Sequence, residues 1–170
     1  MRLGAAALVL AALSAPAVAQ EGPSLVLGAG ASGFWHHNSH VKNTVATGSV
    51  EYRSDYELFP SHEFLREIRP LVGAFAMSDG TAYVHAGVYR DFALAPHWIL
   101  TPHFSAGAYD RGTKNDLGGT LEFQSGVDLF YRLDGGWRLG ATLRHVSNGG
   151  IYDINPGIET LAVLFSIPLR

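Results

Sequence analysis

The chain has 170 residues, enough for one domain with a sizeable core. Its net charge of −3 gives no sign of a nucleic-acid partner, and the absence of cysteine excludes a disulfide framework and thiol chemistry. Only 16% of residues are charged, against roughly 25% in ordinary soluble domains.

The first residues read as an export signal. Arg2 gives a positive start, Leu3 to Leu13 form a short apolar run, and Ala17-Val18-Ala19 supplies a small-x-small cleavage pattern. The run is short for a membrane helix, which needs about 20 apolar residues. The expected organisation is a signal peptide over 1–19 and a single domain over 20–170, with the mature chain starting at Gln20.

The mature region reads as a series of β-strands separated by turn signals. The expected strands are Ser24–Phe34, Thr44–Arg53, Arg66–Met77, Thr81–Leu94, Trp98–Asp110, Gly118–Leu133, Trp137–Asn148 and Gly157–Leu169. Turns are marked by Ser78-Asp79-Gly80, Ala95-Pro96-His97 and Asp134-Gly135-Gly136. Ser54 to Leu65 is the least regular piece, with room for a short helix. Within the first strand, Gly28-Ala29-Gly30-Ala31-Ser32-Gly33 formally matches a dinucleotide fingerprint. No helix follows it, so small residues packed in a sheet are the better reading. Trp35-His36-His37-Asn38-Ser39-His40 has histidines at ligand spacing, but it reads as an exposed loop, and no metal or cofactor is expected. His85 and His103 read as hydrogen-bonding residues inside a barrel, and His62 and His97 carry no assigned chemistry.

Alternation is clearest toward the C-terminus. Leu121, Phe123, Val127, Leu129, Tyr131 and Leu133 share one strand face, opposite Glu122, Gln124, Asp128 and Arg132. Trp137, Leu139, Ala141 and Leu143 oppose Arg138, Thr142 and Arg144, and Leu161, Val163, Phe165 and Ile167 form the apolar face of the last strand. A soluble barrel would turn the apolar face inward; a membrane barrel turns it toward lipid. Periodicity alone does not choose. The strand lengths, the mixed charges of the polar face and the aromatics Trp98, Tyr109, Tyr131 and Trp137 near strand ends favour the membrane. The expected fold is therefore an all-β, eight-stranded antiparallel transmembrane β-barrel in a bacterial outer membrane. Its last strand ends in Leu169-Arg170 rather than in an aromatic residue. With short turns periplasmic, the connection after the seventh strand is external.

His145 and Ser147 are two apart on one strand and point the same way. Glu159 opens the next strand on its apolar face, within cross-strand reach. These are the types a hydrolytic triad needs. Imidazole takes the serine proton, and a carboxylate fixes the imidazole tautomer and stabilises its charged form. A carboxylate on a lipid-facing wall is costly without a functional reason. Taken singly, each residue has an ordinary interfacial reading. Asn148, Asn155 and the backbone N–H groups near Gly149 are candidates for oxyanion or supporting roles, although Asn148-Gly149-Gly150 and Asn155-Pro156-Gly157 would also serve a plain turn.

The segment His145-Val146-Ser147-Asn148…Asn155-Pro156-Gly157-Ile158-Glu159 resembles the signature of the lipid A 3-O-deacylase (PagL-type) family. Trp98-x-Leu100-x-Pro102, Leu117-Gly118 and Glu122-Phe123 also look similar. The resemblance implies an eight-stranded outer-membrane barrel with the triad on its outer wall. It implies Ser147 as nucleophile, His145 as base and Glu159 as orienting carboxylate, with support from Asn148 and Asn155. The implied reaction is hydrolysis of the 3-O-linked acyl chain of lipid A through an acyl-enzyme, without a cofactor. The implied partner is lipopolysaccharide of the outer leaflet, and a homodimer is left open. The alternatives are a phospholipase or acyltransferase on the same scaffold, a non-catalytic outer-membrane barrel, and a soluble barrel binding an apolar ligand.

Overall fold

The computed structural model describes residues 22–35, 41, 44–113 and 115–169. The expected signal over 1–19 and the histidines His36, His37 and His40 lie outside them. The strands are β1 (Ser24–Ser32), β2 (Val45–Arg53), β3 (Arg69–Met77), β4 (Ala82–Tyr89), β5 (Phe92–Ala93), β6 (Trp98–Asp110), β7 (Leu121–Arg132), β8 (Arg138–Ser147) and β9 (Ile158–Pro168). All pair antiparallel with their neighbours. β1 pairs with β9 and β4 with β6, so the sheet closes on itself. β4 and β5 are one strand. The register that sets Tyr89 opposite His103 continues to Phe92 opposite Leu100, and the break falls where Pro102 has no N–H to donate. The result is the expected closed, eight-stranded antiparallel barrel.

The strand faces divide as a lipid environment requires. Leu139, Leu143, Leu161 and Val163 project outward, exposed on the barrel surface. Glu51, Arg53, His85, His103, Glu122, Gln124, Asp128, Thr142 and Arg144 are buried in the lumen. Water would select the opposite arrangement, so the soluble alternative fails. Trp98 packs edge-on against Tyr131 and Trp137 stacks on Phe165, both pairs facing outward near the end where Leu169 N–H donates to the Pro23 carbonyl at 2.8 Å. Tyr109 does not join a girdle. It lies an odd number of residues from Trp98 on β6, so the pleat turns it inward, where it is 3% exposed and its hydroxyl donates to the Asn115 carbonyl at 2.9 Å.

The lumen is filled in layers. Val26, Ile99, Phe130 and Leu164 pack near the terminal end. Val45, Phe75, Met77, Tyr83, Tyr109, Leu117, Val146 and Ile158 pack toward the opposite rim. A belt of paired charges lies in the lumen as well. Arg53 Nη2 reaches Glu51 at 2.8 Å and Asp128 at 2.5 Å, and Arg144 Nη1 reaches Glu51 at 2.7 Å. His103 Nε2 lies 3.3 Å from Asp128. Arg138 pairs with Asp91 at 2.7 Å. Of the charges expected to pair in the lumen, Asp128, Arg138 and Arg144 do so, whereas Arg132 and Glu122 form no ion pair among the described residues and the Glu122 carboxylate has no hydrogen-bond partner there. His85 likewise makes no such bond and stacks on Tyr83 at 5.1 Å.

The segment between β2 and β3 contains no helix. Asp55, Pro60 and Ser61 favour turns, and the segment is held by turn hydrogen bonds such as Arg66 N–H to His62 O at 2.8 Å. Gly28 to Ser32 lie within β1, so the glycine pattern there is wall packing.

Removing Arg53 leaves Glu51 and Asp128 buried without their shared cation. Arg53→Ala is expected to cost about 3–5 kcal/mol in urea unfolding from lipid vesicles. Arg111→Ala, which breaks an exposed pair with Asp116, is expected to cost under about 1 kcal/mol. Equal effects of the two would contradict the role of the belt.

Candidate active site

The hairpin of β8 and β9 is fixed from inside. Val146 and Ile158 are cross-strand partners and both are fully buried in the rim cluster. Because alternate residues take opposite faces, anchoring Val146 and Ile158 inward forces His145, Ser147 and Glu159 outward. His145 stands directly opposite Glu159, with His145 Nδ1 at 3.3 Å from Glu159 Oε1. The imidazole is 45% exposed and the carboxylate 20%. Ser147 closes β8, half-buried, on the same face and opposite Phe123 of β7. Its hydroxyl is not hydrogen-bonded to the imidazole in this structure. Catalytic hydrogen bonds are commonly long before substrate binds.

Two residues that sequence reasoning passed over also reach this face. Ser125 of β7 is the cross-strand partner of His145 on the flank away from Glu159. Trp35, from the connection after β1, lines the same depression in the outer wall. That depression is about 530 Å³, open to the surface, and includes Ser125, Val127, Leu143, His145 and Glu159. Its walls are mostly apolar, and Leu143 and Leu161 continue the face downward into the lipid-facing band. Ser125 was detectable in principle, since it shares the odd-numbered apolar face of its strand. Trp35 carried no signal, being placed by a loop.

The loop over 148–157 is braced by Asn148, which is fully buried. Its Nδ2 donates to the Leu117 carbonyl at 2.6 Å and to the Ile154 carbonyl at 2.7 Å, and its Oδ1 accepts from Gly150 N–H at 2.8 Å. Its own N–H donates to Asn155 Oδ1 at 3.1 Å. Both amide hydrogens of Asn148 are therefore engaged, one tying the β8–β9 loop to the β6–β7 loop and the other bracing the β8–β9 loop internally. The β6–β7 side of this contact is shaped for it. A side chain at Gly118 would meet the Ile154 carbonyl at 2.2 Å, and one at Gly119 would meet the Tyr152 ring at 2.1 Å. The Tyr152 hydroxyl accepts from Leu121 N–H at 3.1 Å. Gly149 N–H and the Asn155 side-chain amide are among the loop donors that make no hydrogen bond within the described residues. Both lie on exposed residues.

Asn148→Ala deletes two donated bonds and one accepted bond at a buried position. We expect about 1–3 kcal/mol of local destabilisation. It should show as faster amide hydrogen exchange at Leu121 and Gly150 in detergent micelles, with the exchange of the β2–β3 strands unchanged. Unaltered exchange in both loops would contradict the brace.

Comparison with known proteins agrees with this architecture. Residues 71–168 match the family model described as lipid A 3-O-deacylase (PagL). No curated protein matches the chain. Among solved structures, the outer membrane enzyme PagL superposes with a TM-score of 0.63 at 18% identity, over 86% of this chain and 99% of that one. A de novo designed transmembrane β-barrel gives a TM-score of 0.50 at 13% identity, over 88% and 98% of the two chains. Neisserial surface protein A gives 0.50 at 12% identity, over 86% and 96%. At these identities the structural likenesses show the fold alone, an outer-membrane type of barrel. The family match spans more than half of the sequence and includes β8 and β9 entire, and on it the chain belongs to the lipid A 3-O-deacylase (PagL) family, as an outer-membrane barrel of the lipid A deacylase type.

Proposed function

We propose that this protein is a serine esterase that hydrolyses the 3-O-linked acyl chain of lipid A, with Ser147 as nucleophile, His145 as base and Glu159 as the orienting carboxylate. The observation that carries the reading is the 3.3 Å pair between His145 Nδ1 and Glu159 Oε1 on the lipid-facing wall, with Ser147 two residues along the same strand. A carboxylate that accepts from Nδ1–H leaves Nε2 as the basic nitrogen, on which a serine proton can be received. The choice of the 3-O ester follows from the family and not from the geometry.

The reaction balances in two steps. Ser147 Oγ attacks the ester carbonyl as His145 Nε2 takes its proton. The tetrahedral oxyanion is met by two donors of the loop, Gly149 N–H and the Asn155 amide, while Asn148 holds that loop in place. The C–O bond to the sugar breaks, and the leaving alkoxide takes the proton from His145. Water then attacks the acyl-serine as His145 Nε2 takes its proton, the bond between the acyl carbon and Ser147 Oγ breaks, and Oγ recovers the proton as the fatty acid leaves. The acyl chain, already in the outer leaflet, lies along Leu143, Leu161 and Val163, so the ester reaches the serine without leaving the membrane. Export through a cleaved signal at 1–19, leaving a barrel domain from Gln20, completes the proposal.

Ser125 is a second hydroxyl beside the imidazole, and the test includes it. Wild type, Ser147→Ala and Ser125→Ala are refolded in detergent and incubated with lipopolysaccharide, and the lipid A is weighed by mass spectrometry. The expected outcome is loss of one hydroxyacyl mass with wild type and Ser125→Ala, and a fall of roughly three orders of magnitude or more with Ser147→Ala. Release by Ser147→Ala at the wild-type rate would transfer the role to Ser125. Transfer of the chain to an acceptor, or cleavage of phospholipid alone, would favour the acyltransferase or phospholipase reading.

A further inference from the structure

The connection that leads into β9 ends in Asn155-Pro156-Gly157, and the imidazole of His145 lies against the α-carbon of Gly157. A methyl group on that carbon would sit 2.5 Å from His145 Cε1, 3.1 Å from Nε2 and 3.5 Å from Nδ1. The first of these is far inside carbon–carbon contact distance, which is about 3.5–4.0 Å. Gly157 is buried while the imidazole is half exposed, so one part of the ring is covered by backbone and the rest is open. Gly157 also holds φ at +67°, a conformation glycine adopts freely.

The platform is not free to retreat. Asn155 is tied through its Oδ1 to Asn148 N–H, Ile154 is tied through its carbonyl to Asn148 Nδ2, and Pro156 has a fixed φ. Gly157 is followed by Ile158, which is fully buried in the rim cluster. Between a braced backbone and an exposed side chain, the side chain yields. The imidazole would move, and its contact with Glu159 would open.

We propose that Gly157 is a positioning residue for His145. Its bare α-carbon sets the tilt of the imidazole so that Nδ1 meets Glu159 and Nε2 is presented to the serine. This rests on the reading of His145 as the base. A side chain at position 157 disables the site while sparing the barrel, because the atoms that must shift belong to an exposed ring.

Gly80 supplies a matched control. It has φ +91°, and the nearest neighbour of an added methyl is Gly112 Cα at 4.0 Å. Gly80→Ala therefore imposes the same kind of backbone strain without a contact to the site. Gly157→Asn is the second variant, because asparagine tolerates positive φ better than alanine yet carries the same Cβ. It keeps the test decisive should Gly157→Ala fail to refold.

The full chain and the three variants are refolded in detergent and checked by the mobility shift of the folded barrel in gels. Deacylation of lipid A is then measured beside nitrogen-15 spectra of the histidine rings. The expected result for both Gly157 variants is a kcat about a hundredfold lower with KM within about twofold of wild type. Their His145 ring signals should shift, and Gly80→Ala should match wild type in both readouts. A Gly157 variant with wild-type kcat and unshifted His145 signals would overturn the proposal. An inactive wild type with His145 signals that still shift on Gly157→Ala would support the contact and reject His145 as the base. The two failures are thus distinguishable.

Discussion

The structure depends on the alternation of strand faces in a sheet that has no edge. Closure through β4–β6 and β1–β9 satisfies the backbone, which lipid cannot do, and leaves each side chain only two destinations, lumen or membrane. The inward set must then be neutral as a group. Arg53 and Arg144 against Glu51 and Asp128 achieve this with four charges in one linked network. Because Arg144 is held inward by Glu51, its neighbour His145 has to face lipid. The same parity carries Ser147 and Glu159 to the same wall. The chemistry of the outer surface is in this sense positioned by the ion pairs and apolar clusters of the interior.

A polar triad on a hydrocarbon-facing wall is expensive, and its placement shows how that cost is contained. His145 and Glu159 lie at the rim end of β8 and β9, and only Ile158 separates Glu159 from the loop. Their mutual contact removes part of the charge from lipid. Above them the braced loop supplies polar groups, and below them Leu143, Leu161 and Val163 begin the apolar band. The proposed substrate, with a polar sugar and apolar acyl chains, has the same division.

Much of this is legible in the sequence. Strict period-two patterns in β7, β8 and β9 define the faces, and the spacing of His145, Ser147 and Glu159 puts them on one shared side. Turn residues locate the connections within a few positions. Tyr109 departs from the strand-end reading through parity, because nearness to a strand end says nothing of which face a residue takes. Other features have no local signal. Asn148 reads as a turn residue, and its role emerges only when Leu117 of a different loop arrives beside it. Gly157 reads as the companion of Pro156, and its importance lies in a ring contributed by the preceding strand. Ser125 and Trp35 reach the site through cross-strand pairing and loop placement. Pairings between distant segments follow from register, and register is not written in any one strand.

The most direct test of the central claim is to find which atom becomes acylated. The refolded barrel would be treated with a long-chain fluorophosphonate, which forms a stable bond only with an activated serine, and the modified peptide would be identified by mass spectrometry. Stoichiometric labelling of Ser147 is expected, lost when His145 is replaced by alanine. Labelling of Ser125 in place of Ser147, or no labelling of a folded and lipid-active barrel, would contradict the assignment.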